Sequence, residues 1–227
     1  QPSQPIVCML SSVRIALLAI VCCAVTSVTS AEDWKQFRGP NSTGVSTENK
    51  PLPVEFSFEK NVLWSAELGR GIDSPVTAYG PLIETTMLDK QPFAVMAFDA
   101  KSGKKLWQKE FPAGKVPEIT PPNEHASSTP ATDGDRVYVY FSTLGVMALN
   151  AADGKLLWKQ PIAMPHYLMG WGPANSPIVH EDLVIFNIDD DLDPFLVAFD
   201  RYSGDVRWKT PRPEMLGGFS TPVMCTA

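Results

Sequence analysis

The sequence predicts an all-β fold, an incomplete β-propeller of about three whole four-stranded blades and two half-blades. Three observations carry this expectation. One template recurs at residues 97–107, 148–158 and 198–208: Ala, any residue, Asp or Asn, three residues, Gly, three residues, Trp. Each copy closes a unit of about fifty residues holding four strand-like runs punctuated by Gly, Pro and Asp. No run shows the apolar period of a helix. A β-sandwich also has short strands and tight turns, but it does not require so faithful an internal repeat.

Each position of the template has a physical reason. Gly103, Gly154 and Gly204 sit where a turn needs a positive φ. Asp99, Asn150 and Asp200 can cap that turn with their side chains. Trp107, Trp158 and Trp208 offer flat surfaces to wedge between adjacent sheets. Ala97, Ala148 and Ala198 leave room for a close neighbour.

In chain order, residues 1–30 come first. Arg14 precedes the uncharged apolar run 15–25, and Val28-Thr29-Ser30-Ala31 supplies small residues for cleavage. This is the pattern of a secretory signal peptide, with Met9 as an alternative start. A retained anchor is the competing reading. The expectation is a secreted or periplasmic protein with no stable membrane insertion after cleavage. Only Cys225 then remains, so no disulfide forms within the mature chain.

Residues 31–60 are rich in Gly, Pro, Asn and Ser and read as an irregular segment, with Trp34 and Phe37 as apolar anchors. Residues 61–68, with Leu63-Trp64, read as a lone closing strand. The first whole repeat has strands near 74–79, 82–87, 93–98 and 105–111. The second has them at 129–132, 136–141, 144–149 and 156–159, and the third at 176–179, 182–188, 195–199 and 206–209. Their near-continuous Val, Ile, Leu, Phe and Tyr suit sheets covered on both faces. Residues 220–224 open a fourth repeat. The lone strand at each end implies the N-terminal part of a longer protein, or a truncated reading frame. Ser74-Pro75, Thr129-Pro130, Ser176-Pro177 and Thr221-Pro222 each mark a strand start. They are repeat features, not nucleophiles.

The net charge of −6 over 227 residues, with Lys and Arg scattered, argues against nucleic acid as a partner. Inter-blade connections line one mouth of a propeller. They place Glu124, His125, His166, Trp171 and Asn175 as candidates for a binding site, suited to a protein or small-ligand partner. Asp189-Asp190-Asp191-Leu192-Asp193 puts four carboxylates in five residues, a candidate cation site. The plainer expectation there is a solvated hairpin tip. No catalytic residue, phosphate loop or zinc cluster is legible.

The repeated template resembles the docking motif of quinoprotein-like propellers, the family of pyrroloquinoline quinone (PQQ) dehydrogenases. The opening Asp33-Trp34-Lys35-Gln36-Phe37-Arg38-Gly39-Pro40-Asn41 resembles a secreted bacterial subfamily labelled PQQ-binding-like. The resemblance implies that Trp107, Trp158 and Trp208 are structural docking residues. It also implies two functional readings: a non-catalytic binding or assembly scaffold, or part of a PQQ-dependent alcohol or sugar dehydrogenase. The second would bring PQQ and Ca²⁺, held in that family by Glu and Asn beside a catalytic Asp and a Trp platform. That set has no match in the sequence.

Overall fold

The computed structural model describes residues 33–89 and 91–225. The expected signal segment at 1–30 lies outside these residues. Among those described there is no α-helix, only a 3-10 turn over Pro40–Ser42.

Three four-stranded antiparallel sheets make up the fold, each a simple meander. Blade 1 contains β1 (Val76–Thr77), β2 (Pro81–Met87), β3 (Pro92–Asp99) and β4 (Lys105–Pro112). Blade 2 contains β5 (Ala131–Thr132), β6 (Arg136–Phe141), β7 (Gly145–Asn150) and β8 (Leu156–Gln160). Blade 3 contains β9 (Ile178–His180), β10 (Leu183–Ile188), β11 (Phe195–Asp200) and β12 (Val206–Pro211). All twelve strands fall where the apolar runs and turn residues place them.

Period-two alternation sorts the side chains into the spaces between sheets. On β6, Val137, Val139 and Phe141 join the core shared with blade 1. Their neighbours Tyr138 and Tyr140 join the core shared with blade 3. Blade 2 is therefore apolar on both faces because both are covered. Phe93 stacks on Phe141 across the first interface at 4.3 Å, and Tyr140 meets Phe186 across the second at 4.5 Å. Each such ring, buried from water, contributes about 2–3 kcal/mol.

The repeated template builds the joints between blades. In each copy a register shift follows the Ala, which pairs across the sheet with its own Trp: Ala97 with Trp107, Ala148 with Trp158, Ala198 with Trp208. The Trp then reaches the next blade. Trp107 Nε1–H donates to Ala151 O, and Trp158 Nε1–H to Arg201 O, both at 3.0 Å. Each indole covers the glycine of the turn it reaches. A Cβ on Gly154 would lie 2.6 Å from Trp107, and one on Gly204 2.7 Å from Trp158. Gly154 also has a φ of 70°, so both conformation and space require glycine there. The capping expectation is met: Asn150 Oδ1 accepts the Ala152 and Asp153 N–H groups, and Asp200 Oδ1 those of Tyr202 and Ser203.

Two expected strands do not form. Residues 61–68 and 220–224 have no ladder partner among the described residues and carry no strand geometry. Trp64 nonetheless acts as a joint without a strand behind it. Its Nε1–H donates to Ala100 O at 3.0 Å, and its ring covers Gly103 and stacks on Phe98.

The N-terminal segment lies along the inner edge of the blades. Trp34 exchanges both backbone hydrogen bonds with Thr77 on β1, and Lys35 O accepts the Thr132 N–H on β5. Trp34 also covers Gly39, which has a φ of 67°.

Candidate functional site

In an antiparallel meander, the first and third turns of every blade share one end. The second turn and the inter-blade connections share the other. The candidate residues for binding all come from this connection end, where segments 113–130, 161–177 and 212–221 follow β4, β8 and β12.

The first seam gathers charged groups. Arg70 Nη2 and Nε donate to Glu124 Oε1 at 3.0 and 3.2 Å. Glu124 Oε2 and His125 Nδ1 are buried without a partner. Burial lowers the His125 pKa, opposed by Glu124 and assisted by Arg70, which favours the neutral imidazole. Next to this lies a pair that sequence reasoning missed. Asp73 Oδ2 accepts the Thr85 N–H at 3.2 Å and the Thr85 hydroxyl. Glu84, 7% exposed, sits beside Asp73. Burial pushes Asp73 up to about 6; burial and then the Asp73 charge push Glu84 up to about 9. Both causes favour the protonated Glu84 carboxyl beside Asp73. The available signal was a Glu within the β-branched and apolar run of β2.

The second seam uses the other candidates as fasteners. Asn175 is fully buried. Its Nδ2 donates to Gly218 O and Ser220 O at 3.2 and 3.1 Å, and its Oδ1 accepts from Tyr167 OH at 3.1 Å. The acidic run is not a solvated tip. Asp189 is 0% exposed, paired with Arg212 at 2.8 Å, and accepts from Asn187 Nδ2 at 2.7 Å. Asp190 accepts the His166, Leu192 and Asp193 N–H groups. Asp191 accepts the N–H groups of Leu168 and Gly217. Only Asp193 projects outward, 3.8 Å from Lys209. The carboxylates pin two connections against the β10–β11 turn: besides closing the turn locally, they accept N–H groups of His166, Leu168 and Gly217 from distant parts of the chain. Among the described residues, no group of three or more His, Cys, Asp or Glu is arranged to hold a metal ion.

The Ser-Pro and Thr-Pro steps form a row at the inner strands. Ser74 N–H donates to Thr129 Oγ1 at 3.1 Å, and Thr129 N–H to Ser176 Oγ at 3.0 Å. Each hydroxyl accepts from the preceding blade.

Two concavities differ in character. At the connection end, a cup of about 400 Å³ is lined by Ile72, Asn123, Ser127, Trp171, Ala174 and Phe219. Trp171 lies 5.9 Å from Phe219, which also meets Tyr167 at 5.1 Å. His125 and His166 do not line this cup. At the turn end, a crevice of about 600 Å³ lies between the N-terminal segment and blades 2 and 3. It is charged: Lys35 pairs with Asp33 at 3.2 Å, and Arg201 with Asp133 and Asp182 at 3.5 and 3.3 Å.

The donor set at the connection end does not fit a quinone with its Ca²⁺. Such a pair needs free Glu, Asn and Asp oxygens converging beside an aromatic platform. Here Glu124 leaves only Oε2 free, its Oε1 being tied to Arg70, while Asn175 uses both ends of its amide on loop groups and Asp189 is neutralised by Arg212.

The family described as outer membrane protein assembly factor BamB matches residues 39–213. BamB of Yersinia pestis is 28% identical over 165 residues, covering 70% of this chain and 38% of that protein. Quinohemoprotein alcohol dehydrogenase ADH IIB of Pseudomonas putida is 29% identical over 146 residues, covering 62% of this chain and 20% of the enzyme. Among solved structures, the quinohemoprotein alcohol dehydrogenase from Comamonas testosteroni superposes with a TM-score of 0.55 at 19% identity. That superposition covers 79% of this chain and 27% of the enzyme, and it shows the shared propeller fold. The chain thus spans well under half the length of these relatives. With the repeated joints, the stacked four-stranded sheets and a match over most of its length, the chain belongs to the propeller family described as outer membrane protein assembly factor BamB.

Proposed function

We propose that this chain is a non-catalytic binding scaffold that works outside the cytoplasm in the assembly of outer membrane proteins. The observation that carries the reading is the use made of the polar residues at the connection end. Glu124, Asn175, Asp189, Asp190 and Asp191 all hold neighbouring segments in place. Beside them at that end lies a cup whose lining carries no ionisable residue, suited to contact. Family membership supports the same reading, and residues 1–30 as a signal peptide supply the route of export. Among the described residues no helix is long and apolar enough to cross a membrane. The partner is a protein or small ligand at this mouth.

The second reading, part of a PQQ-dependent dehydrogenase, is favoured by the similarity to the Pseudomonas putida enzyme. One experiment separates the two. The purified chain is incubated with PQQ and CaCl₂, freed of excess quinone, and assayed with ethanol and a redox dye. The scaffold reading expects no retained quinone absorbance and no dye reduction. Stoichiometric quinone with ethanol-dependent turnover would replace it with the dehydrogenase.

A further inference from the structure

We infer that the cup formed by Ile72, Trp171, Ala174 and Phe219 is a receptor for an apolar side chain on an extended polypeptide, an inference that rests on the scaffold reading above. Ile72 is 56% exposed, Trp171 46% and Phe219 36%, whereas the comparable rings of Phe93 and Tyr140 in the blade cores are fully buried. These three side chains come from three separate segments, so the cup exists only where the segments meet. A shared apolar surface built this way marks a binding site more than scattered exposed residues do.

The walls are held before any ligand arrives. Ile72 N–H donates to Ala126 O at 2.9 Å. Asn175, next to Ala174, ties down Gly218 and Ser220 on either side of Phe219. Tyr167 backs the Phe219 ring and is itself held by Asn175. A preformed cup loses little entropy on binding.

The chemistry of the lining selects the occupant. None of the lining residues is ionisable. A charged ligand would surrender hydration there without gaining a counter-charge, so the complementary group is uncharged and apolar. The Asn123 carboxamide, on the rim, makes no hydrogen bond among the described residues. It offers one donor face and one acceptor, which matches the N–H and C=O of a peptide group. A bare hydrocarbon chain would leave that amide unsatisfied. Leu168, Met169 and Leu216, all exposed, lie on the same connections.

The test uses the full chain and two acetylated, amidated peptides of Gly, Ser and Thr, one with a central Phe and one with Ser in its place. Binding is measured by calorimetry. The Phe peptide is expected to bind at least about tenfold more tightly than the Ser peptide. Trp171→Ala is expected to weaken it by about tenfold. Ala174→Leu, which fills the cup without removing either ring, has the same effect and guards against a folding artefact. Asn123→Ala weakens the Phe peptide by a smaller factor, about threefold. Equal binding of the two peptides would overturn the inference, as would binding unchanged by both Trp171→Ala and Ala174→Leu. The latter leaves the scaffold reading standing with its site elsewhere. Cyclohexanol competing as strongly as the Phe peptide would also overturn it, because the cup would then accept hydrocarbon without a peptide group.

Discussion

The rear faces of blades 1 and 3, each turned toward the preceding position in the ring, follow the same plan but are finished differently. Blade 3 presents Val184, Phe186, Ile188, Phe195, Val197 and Phe199 to the forward face of blade 2, and Trp158 seals the joint. Blade 1 presents Ala94, Met96 and Phe98, sealed by Trp64 from a segment that is not a strand. The register makes the contrast specific. Glu84 pairs with Met96 as Val139 pairs with Met147 and Phe186 with Val197. Blade 1 therefore carries a carboxyl group where the other blades carry hydrocarbon. The joint hydrogen bond is 3.0 Å at Trp64, Trp107 and Trp158 alike. The local motif thus sets geometry whatever stands behind it, while stability follows from how much apolar surface the neighbouring sheet covers.

Substitutions along this series should separate the two contributions. Trp158→Ala, at a joint 8% exposed, should cost about 4 kcal/mol by urea unfolding, from a large cavity and a lost indole hydrogen bond. Gly154→Ala should cost about 3 kcal/mol, since the new methyl both clashes with Trp107 and occupies a left-handed backbone. If that variant unfolds like the parent, the glycine is not what holds the joint. Trp64→Ala, at the joint with no sheet behind it among the described residues, should cost only about 1.5 kcal/mol. A loss as large as that at Trp158 would show that a strand is not needed for a full joint. Trp208 is 37% exposed and covers no turn glycine among the described residues, so Trp208→Ala should cost less than about 1 kcal/mol.

Between the second and third of these effects falls a change that sharpens the contrast in the other direction. The Glu84 pKa is raised from the ordinary 4.5 to about 9, so the folded chain retains a proton that the unfolded chain releases. Stability therefore falls as pH rises through that window. Glu84→Gln, which can still donate to Asp73, should abolish most of the slope. It should gain on the order of 2 kcal/mol over the parent at pH 8 while differing little at pH 4. Thermal unfolding across that range measures it. Identical pH profiles for the two proteins would show that Glu84 is charged in the folded state.

The joints were legible in the sequence because each is written within eleven consecutive residues, and the turn chemistry of Asp or Asn and Gly is local. The partner of each Trp was not, since Trp107 acts on Gly154, far along the chain. The same division governs the mouth. Asn175 and Trp171 could be placed on a connection by position alone. The burial of Asp189 and Asp190 could not, because it depends on Arg212 and on the N–H group of His166. Strand propensity at 61–68 and 220–224 was real but insufficient, since a strand without a ladder partner has no reason to hold its geometry. The Asp73–Glu84 pair left almost no trace, being two ordinary acids joined only by the fold.

The strap made by Trp34 and Lys35 bears on time as well as on architecture. Each blade is a meander whose contacts are local, so its closure requires only short loops to form. The strap is different: it fastens the beginning of the described chain to Thr77 and then to Thr132, bridging two blades that must already exist. It is therefore a late event on the way to the folded state. Because it arrives after the blades have condensed, it acts as a latch on escape, slowing the first step of unfolding and leaving the rate of folding to the meanders themselves.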